Sequence, residues 1–120
     1  MKEFFPGPLT IILQKKDIVP DILTANSDTV GIRMPSNKIA LKLIEYAGVP
    51  IATPSANLSG KPTGTNFKDI IKDFDGKADY FIDGKISKTG FASTIIKVTD
   101  GIPNILRQGP ITEEQIKEMK

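Results

Sequence analysis

The chain has 120 residues, of which 39% are hydrophobic and 25% charged, so its size and composition match one globular domain and exclude a disordered tail, a collagen and a coiled coil. The absence of Cys and His from the sequence excludes thiolate nucleophiles, disulfides, Cys/His zinc sites and imidazole acid–base catalysis. The formal net charge of +2 is too small to indicate a nucleic-acid-binding protein by charge alone.

The chain begins with two adjacent aromatic residues, Phe4 and Phe5, followed directly by Pro-Gly-Pro. Aromatic side chains with no preceding segment to pack against predict that an upstream segment has been removed. The first residues contain no apolar stretch of signal-peptide length. The longest apolar runs, such as residues 11–13, are too short to span a bilayer. We therefore expect a soluble, cytoplasmic protein.

Two strands are predicted in the first third of the chain. Residues 6–8 must be irregular because prolines flank a glycine, and residues 9–13 then form a short apolar run typical of a buried strand. Residues 30–33 predict a second strand, which Pro35 terminates. Arg33 is therefore expected at the end of a strand.

A helix and a third strand are predicted next. Ser36 is the predicted N-cap of a helix whose apolar residues follow helical spacing, and Gly48 ends it. Residues 49–52 are apolar and extended in character, which predicts a strand. The helix is expected to cover a sheet to which this strand belongs.

The predicted strand opens into a loop of small polar and turn residues, residues 53–65. Loops at the carboxyl ends of strands are where open α/β sheets bind ligands. The loop has five side chains that could donate hydrogen bonds to phosphate oxygens: Ser55, Asn57, Ser59, Thr63 and Thr65. A nucleotide-binding P-loop is excluded because Pro62 stands where the magnesium-binding Ser or Thr would be. An ordinary surface loop remains the alternative.

The last part of the chain predicts a helix, three strands and a terminal helix. Asn66 can cap a helix with an apolar stripe, and Thr112 to Gln115 form a capping box with Ile111 and Ile116 as its hydrophobic staple. The predicted strands are residues 80–82, 93–98 and 104–107. Because glycines separate them too closely for crossover helices, antiparallel pairing is expected. The pattern as a whole predicts a single α/β domain, residues 1–120, with a mixed sheet.

Arg33 and Arg107 are the only arginines in a chain rich in lysine. A planar guanidinium can bind a carboxylate or a phosphate with two hydrogen bonds, which lysine cannot do. The alternative for Arg33 is an ordinary surface or salt-bridged residue at a strand end, and Arg107 by itself indicates no function. Taken alone, Ser93 is typical of a β-strand, and Thr29 is typical of a turn.

Five motifs occur in an order that spans nearly the whole chain. They are residues 5–10 (FPGPLT), 30–35 (VGIRMP), 54–60 (PSANLSG), 92–95 (ASTI) and 105–109 (ILRQG). Together they resemble the YrdC-like family of threonylcarbamoyl-AMP synthases. The resemblance implies a twisted mixed sheet with flanking helices, incomplete at the N-terminal side. It also implies condensation of L-threonine, bicarbonate and ATP, accompanied by Mg²⁺, into threonylcarbamoyl-AMP and pyrophosphate for tRNA modification.

The same resemblance implies roles for individual residues. Arg33 would bind the carboxylate of L-threonine, and Thr53 and Ser93 would line the amino-acid pocket. The residues expected around the ATP are Thr29, Ser55, Asn57, Thr63 and Arg107. The resemblance assigns no residue as a general base and none as a metal ligand.

This sequence departs from the family before the first motif. Family members carry there a Pro-Thr-Asp/Glu-Thr segment that binds threonine and a Lys-x-Arg motif that binds phosphate, and neither is present here. We therefore interpret the chain as the C-terminal portion of such a synthase, inactive alone and dependent on the missing portion supplied in trans. Two alternatives are a double-stranded-RNA-binding module of YrdC type and a structural remnant that assembles with a partner chain through an exposed sheet edge.

Overall fold

The computed structural model describes residues 3–62, 64, 66–84 and 91–118. The chain divides into two compact units. The first unit consists of Met1–Pro50 and Phe91–Lys120, and the second of Ile51–Gly90. The single domain expected over residues 1–120 stays a prediction.

The first unit is built on a four-stranded mixed sheet, which confirms the predicted fold class. Its strands are β1 (Leu9–Gln14), β2 (Thr29–Ile32), β3 (Thr94–Thr99) and β4 (Ile102–Arg107), in the spatial order β2-β1-β3-β4. The central strands β1 and β3 are parallel, whereas β2 runs antiparallel to β1 and β4 antiparallel to β3. All four were predicted from the sequence within two residues of their observed bounds.

The core lies on one face of this sheet. Leu9 and Ile11 alternate with half-buried residues along β1, and Ile96 lies beside Ile11 on β3. Since side chains alternate between the faces of a strand, this spacing places all three on one side. Two isoleucines from the C-terminal segment complete the buried cluster.

Phe4 and Phe5 are half-buried and pack against the core cluster. They therefore find packing partners in later parts of the chain, and the removal of an upstream segment stays a prediction. The sequence reasoning considered only neighbours close in the chain, whereas the contacts come from a cluster whose other members include the distant Ile96 and Ile116.

The described residues form four helices. They are α1 (Asp21–Thr24), α2 (Lys38–Ala47), α3 (Phe67–Phe74) and α4 (Glu113–Lys117). The N-cap of α2 is Asn37 rather than the predicted Ser36, because the Asn37 side-chain oxygen accepts hydrogen bonds from the backbone N–H groups of Ile39 and Ala40. Gly48 ends α2 in the left-handed conformation, as predicted. In the described part of the chain no helix is long and apolar enough to cross a membrane.

The predicted capping box and staple of α4 are confirmed. Thr112 and Gln115 exchange side-chain-to-backbone hydrogen bonds of 2.9 and 3.3 Å, and Ile111 and Ile116 are 4% and 2% exposed. Hydrogen bonds from its own backbone N–H and from the Thr112 hydroxyl lower the pKa of the Glu114 carboxyl. The negative charge of Glu114 therefore stabilises the N-terminus of α4 at neutral pH. This stabilisation is lost as the pH falls through the lowered pKa, because the carboxyl becomes protonated.

The strands predicted at residues 49–52 and 80–82 are not formed. A strand needs a neighbouring strand to pair with, and the sole helix or strand among the described residues of the second unit is α3. Tyr80 is 89% exposed. The apolar residues of these segments indicated strands, but no described strand pairs with either segment.

We expect Asn66→Ala to destabilise α3 by about 1 kcal/mol. The Asn66 side-chain oxygen accepts a hydrogen bond of 3.0 Å from the backbone N–H of Asp69, so alanine leaves an N-terminal N–H without its cap. Amide hydrogen exchange across α3 measures the loss. Asn66→Ser, which keeps a capping oxygen, should stay close to the wild type, and equal exchange in both variants would contradict the capping role.

Candidate functional site

One end of the sheet in the first unit brings together three of the residues that the sequence analysis singled out. Because β2 runs antiparallel to β1, the end of β2 lies beside the start of β1. In the same way, the end of β4 lies beside the start of β3. Arg33 follows β2 directly, Arg107 is the last residue of β4, and Ser93 precedes β3. The two arginines thus flank this end from the edge strands, roughly 14 Å apart at the usual strand spacing.

Arg107, Ser93 and Thr10 form a connected hydrogen-bonded group, which we call the hydroxyl-arginine cluster. Nε and Nη2 of Arg107 donate to the Ser93 carbonyl oxygen at 3.1 and 2.9 Å. Nη2 also donates to the Ser93 hydroxyl at 3.1 Å. On its other side this hydroxyl lies 2.7 Å from the Thr10 hydroxyl. The Arg107 guanidinium is thereby fixed in direction, and Nη1 takes no part in these bonds.

A second set of bonds holds the start of β3 against the segment after β4. Thr94 is fully buried, and its hydroxyl donates to the Ile111 carbonyl while accepting from the backbone N–H groups of Gly109 and Ile111. Gly109 lies so close to residues 92–94 that a Cβ atom would stand 2.3 Å from the Thr94 backbone nitrogen. This close packing fixes the position of Ser93, which immediately precedes Thr94.

Arg33 is connected to the turn before β1. Its Nε donates to the Gly7 carbonyl at 3.3 Å, and the Gly7 N–H donates to the Met34 carbonyl at 2.8 Å. The side chain is exposed. A guanidinium held by one nitrogen at the end of a sheet can offer its remaining N–H groups to an anion.

Thr29 is not brought to the same end of the sheet as Arg33. It starts β2, pairs with Gln14, and lies three residues before Ile32, roughly 10 Å along the strand. Its hydroxyl is 3.0 Å from that of Ser27. The predicted contact of Thr29 with ATP stays a prediction.

The remaining predicted site residues belong to the second unit. The Thr53 hydroxyl donates to the Ile51 carbonyl at 3.1 Å, and the Asn57 N–H donates to the Ser55 carbonyl at 3.0 Å. The Asn57 side-chain amide donates to the carbonyls of Leu58 and Lys61 at 3.2 and 3.1 Å. Asn57 therefore shapes its own loop. Thr63 and Thr65 lie outside the described residues.

The first unit offers the chemistry of anion binding. Its sheet end presents two guanidinium groups and two hydroxyls, which stabilise negative charge by hydrogen bonding. Among the described residues no group of three acidic side chains is placed to hold a metal ion. The described residues therefore do not offer a carboxylate cage for Mg²⁺.

Sequence reasoning assigned no role to Thr10, Thr94 or Gly109. Each stands within a quoted motif, FPGPLT, ASTI or ILRQG, so the motifs contained the signal. Their roles depend on which motifs meet in space, which a linear pattern does not state.

Comparison with known proteins identifies related chains. The family model Sua5_yciO_yrdC, described as "Telomere recombination", matches residues 1–109. A threonylcarbamoyl-AMP synthase of Pyrococcus abyssi is 47% identical over 118 residues, which are 98% of this chain and 35% of the relative. The Bacillus subtilis threonylcarbamoyl-AMP synthase is 48% identical over 118 residues, 98% of this chain and 34% of the relative.

Solved structures give the same result. The crystal structure of P. abyssi Sua5 complexed with L-threonine matches with a TM-score of 0.90 and 47% identity, over 97% of this chain and 34% of that one. The structure of E. coli YciO matches with a TM-score of 0.73 and 32% identity, over 88% and 52%. The chain thus spans about a third of the length of the Pyrococcus and Bacillus proteins it matches.

Proposed function

The chain belongs to the Sua5/YciO/YrdC family, and from this premise we propose that it is part of a threonylcarbamoyl-AMP synthase. The reaction joins L-threonine, bicarbonate and ATP into threonylcarbamoyl-AMP and pyrophosphate. Its product supplies the threonylcarbamoyl group of modified tRNA, which agrees with a cytoplasmic location. The described part of this chain would contribute anion-binding and hydroxyl groups to the site.

The observation that carries the proposal is the convergence of Arg33, Ser93 and Arg107 at one end of the sheet. The reaction handles a carboxylate and a triphosphate, both of which guanidinium groups bind. The similar P. abyssi protein was crystallised with L-threonine, which supports an amino-acid ligand in this family.

On the amino-acid side, Arg33 would bind the threonine carboxylate. Within the described residues, the hydrogen bond of its side chain is made by Nε to the Gly7 carbonyl, so the outer nitrogens would be directed at the ligand. Ser93 and Thr53 would line the pocket around the rest of the amino acid. Their hydroxyls have the size and polarity to contact a small polar side chain.

On the nucleotide side, Arg107 would offer Nη1 to the phosphates while its other nitrogens stay on Ser93. Thr29, Ser55, Asn57 and Thr63 would surround the nucleotide. Bicarbonate would take up a proton and lose water to give carbon dioxide, which the threonine amine would add to with release of a proton, forming a carbamate. A carbamate oxygen would then attack the α-phosphorus and displace pyrophosphate. The protein positions the reactants and stabilises the developing phosphate charge. Mg²⁺ would arrive bound to the ATP phosphates.

Turnover would need residues beyond these 120. A single well-placed arginine leaves most of a triphosphate's charge unbalanced, and the sequence has no Lys-x-Arg motif. We expect the isolated chain to bind ligand without measurable synthesis, and the portion of a relative that precedes the Pro-Gly-Pro motif to restore synthesis when added in trans. Full turnover by this chain alone would contradict the proposal.

The proposal is tested by replacing Arg33. We expect Arg33→Gln to weaken L-threonine binding by about 10- to 100-fold, because a charged hydrogen bond contributes about 1.5–3 kcal/mol. Isothermal titration calorimetry with L-threonine measures the change.

The matched control is Lys16→Gln, which removes the same charge just beyond the opposite end of β1. This control should bind L-threonine like the wild type. Equal loss in both variants would mean that Arg33 acts only through the net charge.

A further inference from the structure

Thr10 is a polar residue inside an apolar strand. It lies in β1 between the core residues Leu9 and Ile11, and successive strand residues face opposite sides of a sheet. Its side chain therefore points away from the core, toward the face that carries Ser93 Oγ, with which it makes a 2.7 Å hydrogen bond. None of the roles derived above for the reaction uses this residue.

The hydrogen-bonding capacity of Ser93 shows what Thr10 does. A serine hydroxyl has one proton and two acceptor positions. Arg107 can only donate, so its Nη2 bond occupies one acceptor position of Ser93. The contact with Thr10 occupies either the second acceptor position or the proton, because either hydroxyl can be the donor. If Thr10 donates, Ser93 keeps only its proton for a ligand. If Thr10 accepts, Ser93 keeps only one acceptor position.

We propose that Thr10 is a positioning residue that directs the Ser93 hydroxyl proton onto the side-chain hydroxyl of a β-hydroxy amino acid. With Thr10 donating to Ser93, both acceptor positions of Ser93 are filled. The Ser93 proton is then available only to an oxygen of the ligand. Hydrogen bonds in such a chain polarise one another, so the Thr10 donor also strengthens the bond that Ser93 makes.

The choice of ligand oxygen rests on the proposed function. There the ligand carboxylate is taken by Arg33, which follows β2, whereas Ser93 precedes β3 on the other side of β1. An amino acid that contacts both Arg33 and Ser93 presents its carboxylate to Arg33 and its side chain to Ser93. In L-threonine the far end carries the hydroxyl, so the Thr10–Ser93 pair is placed to distinguish a hydroxylated side chain from an apolar one.

The experiment compares L-threonine with L-2-aminobutyrate, which lacks only the hydroxyl, by calorimetric titration of the chain. We expect the wild type to bind L-threonine about tenfold more tightly than L-2-aminobutyrate. Thr10→Val keeps the shape and the strand preference of the residue but removes the donor. We expect it to reduce that preference to about twofold. Thr10→Ser restores the hydroxyl and should restore the preference.

The outcomes separate this inference from the proposed function. If the wild type binds L-threonine but Thr10→Val keeps its full preference, or if the wild type has no preference, the role of Thr10 is overturned while threonine binding stands. If the wild type binds neither amino acid, the proposed function fails and the inference fails with it. If Thr10 has a purely structural role, Thr10→Val should lose the same factor of affinity for both amino acids and keep the preference between them. An equal loss would show such a role, and a loss confined to L-threonine would exclude it.

Discussion

We expect Gly109→Ala to be the most destabilising single-methyl addition in the described sheet unit, with a loss of about 3 kcal/mol or more. A Cβ at this position would lie 2.3 Å from the Thr94 nitrogen, 2.5 Å from the Ala92 carbonyl oxygen and 2.6 Å from the Ser93 carbonyl carbon. All three are backbone atoms, so no side-chain rotation relieves the collision. The strand would have to move, and with it the Ser93 carbonyl that holds Arg107.

Urea unfolding followed by far-UV circular dichroism measures this loss, because the sequence contains no Trp and its two Tyr residues are exposed. Gly84→Ala is the matched control. Among the described residues a Cβ at Gly84 meets no atom within 4 Å, so the same chemical change should leave the midpoint of unfolding nearly unaltered. A stable Gly109→Ala variant with an unshifted midpoint would contradict the close approach.

The second large effect is expected for Thr94→Val, at about 2–6 kcal/mol. The two side chains have nearly the same shape, but valine can neither accept from the Gly109 and Ile111 N–H groups nor donate to the Ile111 carbonyl. The Ile111 carbonyl still accepts a hydrogen bond of 2.8 Å from the Gln108 side chain. The expected destabilisation therefore comes from the N–H groups of Gly109 and Ile111, which lose their acceptor. Buried donors without a partner cost about 1–3 kcal/mol each.

Thr94→Ser separates the hydroxyl from the methyl group. Serine keeps all three hydrogen bonds and loses one buried methyl, for which we expect about 1 kcal/mol. The order of stability by urea unfolding should therefore be wild type, Ser, Val. If serine were less stable than valine, packing rather than hydrogen bonding would hold the start of β3.

The sheet could be predicted because its signals are local. The apolar run of β1, the Pro35 that follows β2, and the spacing of β3 and β4 each depend on a few neighbouring residues. The capping box of α4 and the N-caps are local in the same way, and the one-residue error at Asn37 arose because Ser36 and Asn37 both suit the cap position. The strands predicted at 49–52 and 80–82 were wrong because pairing depends on a neighbour that no local pattern reveals.

The residues of the candidate site could be predicted from the sequence, but the contacts among them could not. Resemblance to a family supplied Arg33, Ser93 and Arg107, and the strand order brings them to one end of the sheet. That Arg107 binds the Ser93 carbonyl, and that Thr10 meets the Ser93 hydroxyl, depends on the parallel pairing of β1 with β3. Such pairing joins distant parts of the chain, which sequence spacing does not encode.

The same parallel pairing shapes how the chain can fold while it is being made. Leu9 and its partner Thr94 lie about 85 positions apart, so the central ladder closes only after the residues between them have been made. At synthesis rates of about 5–20 residues per second, β3 is completed roughly 4–17 s after β1. During that interval β2 can pair with one edge of β1, while the edge that β3 later occupies lacks that strand. A nascent chain of this design depends on protection from aggregation until β3 emerges.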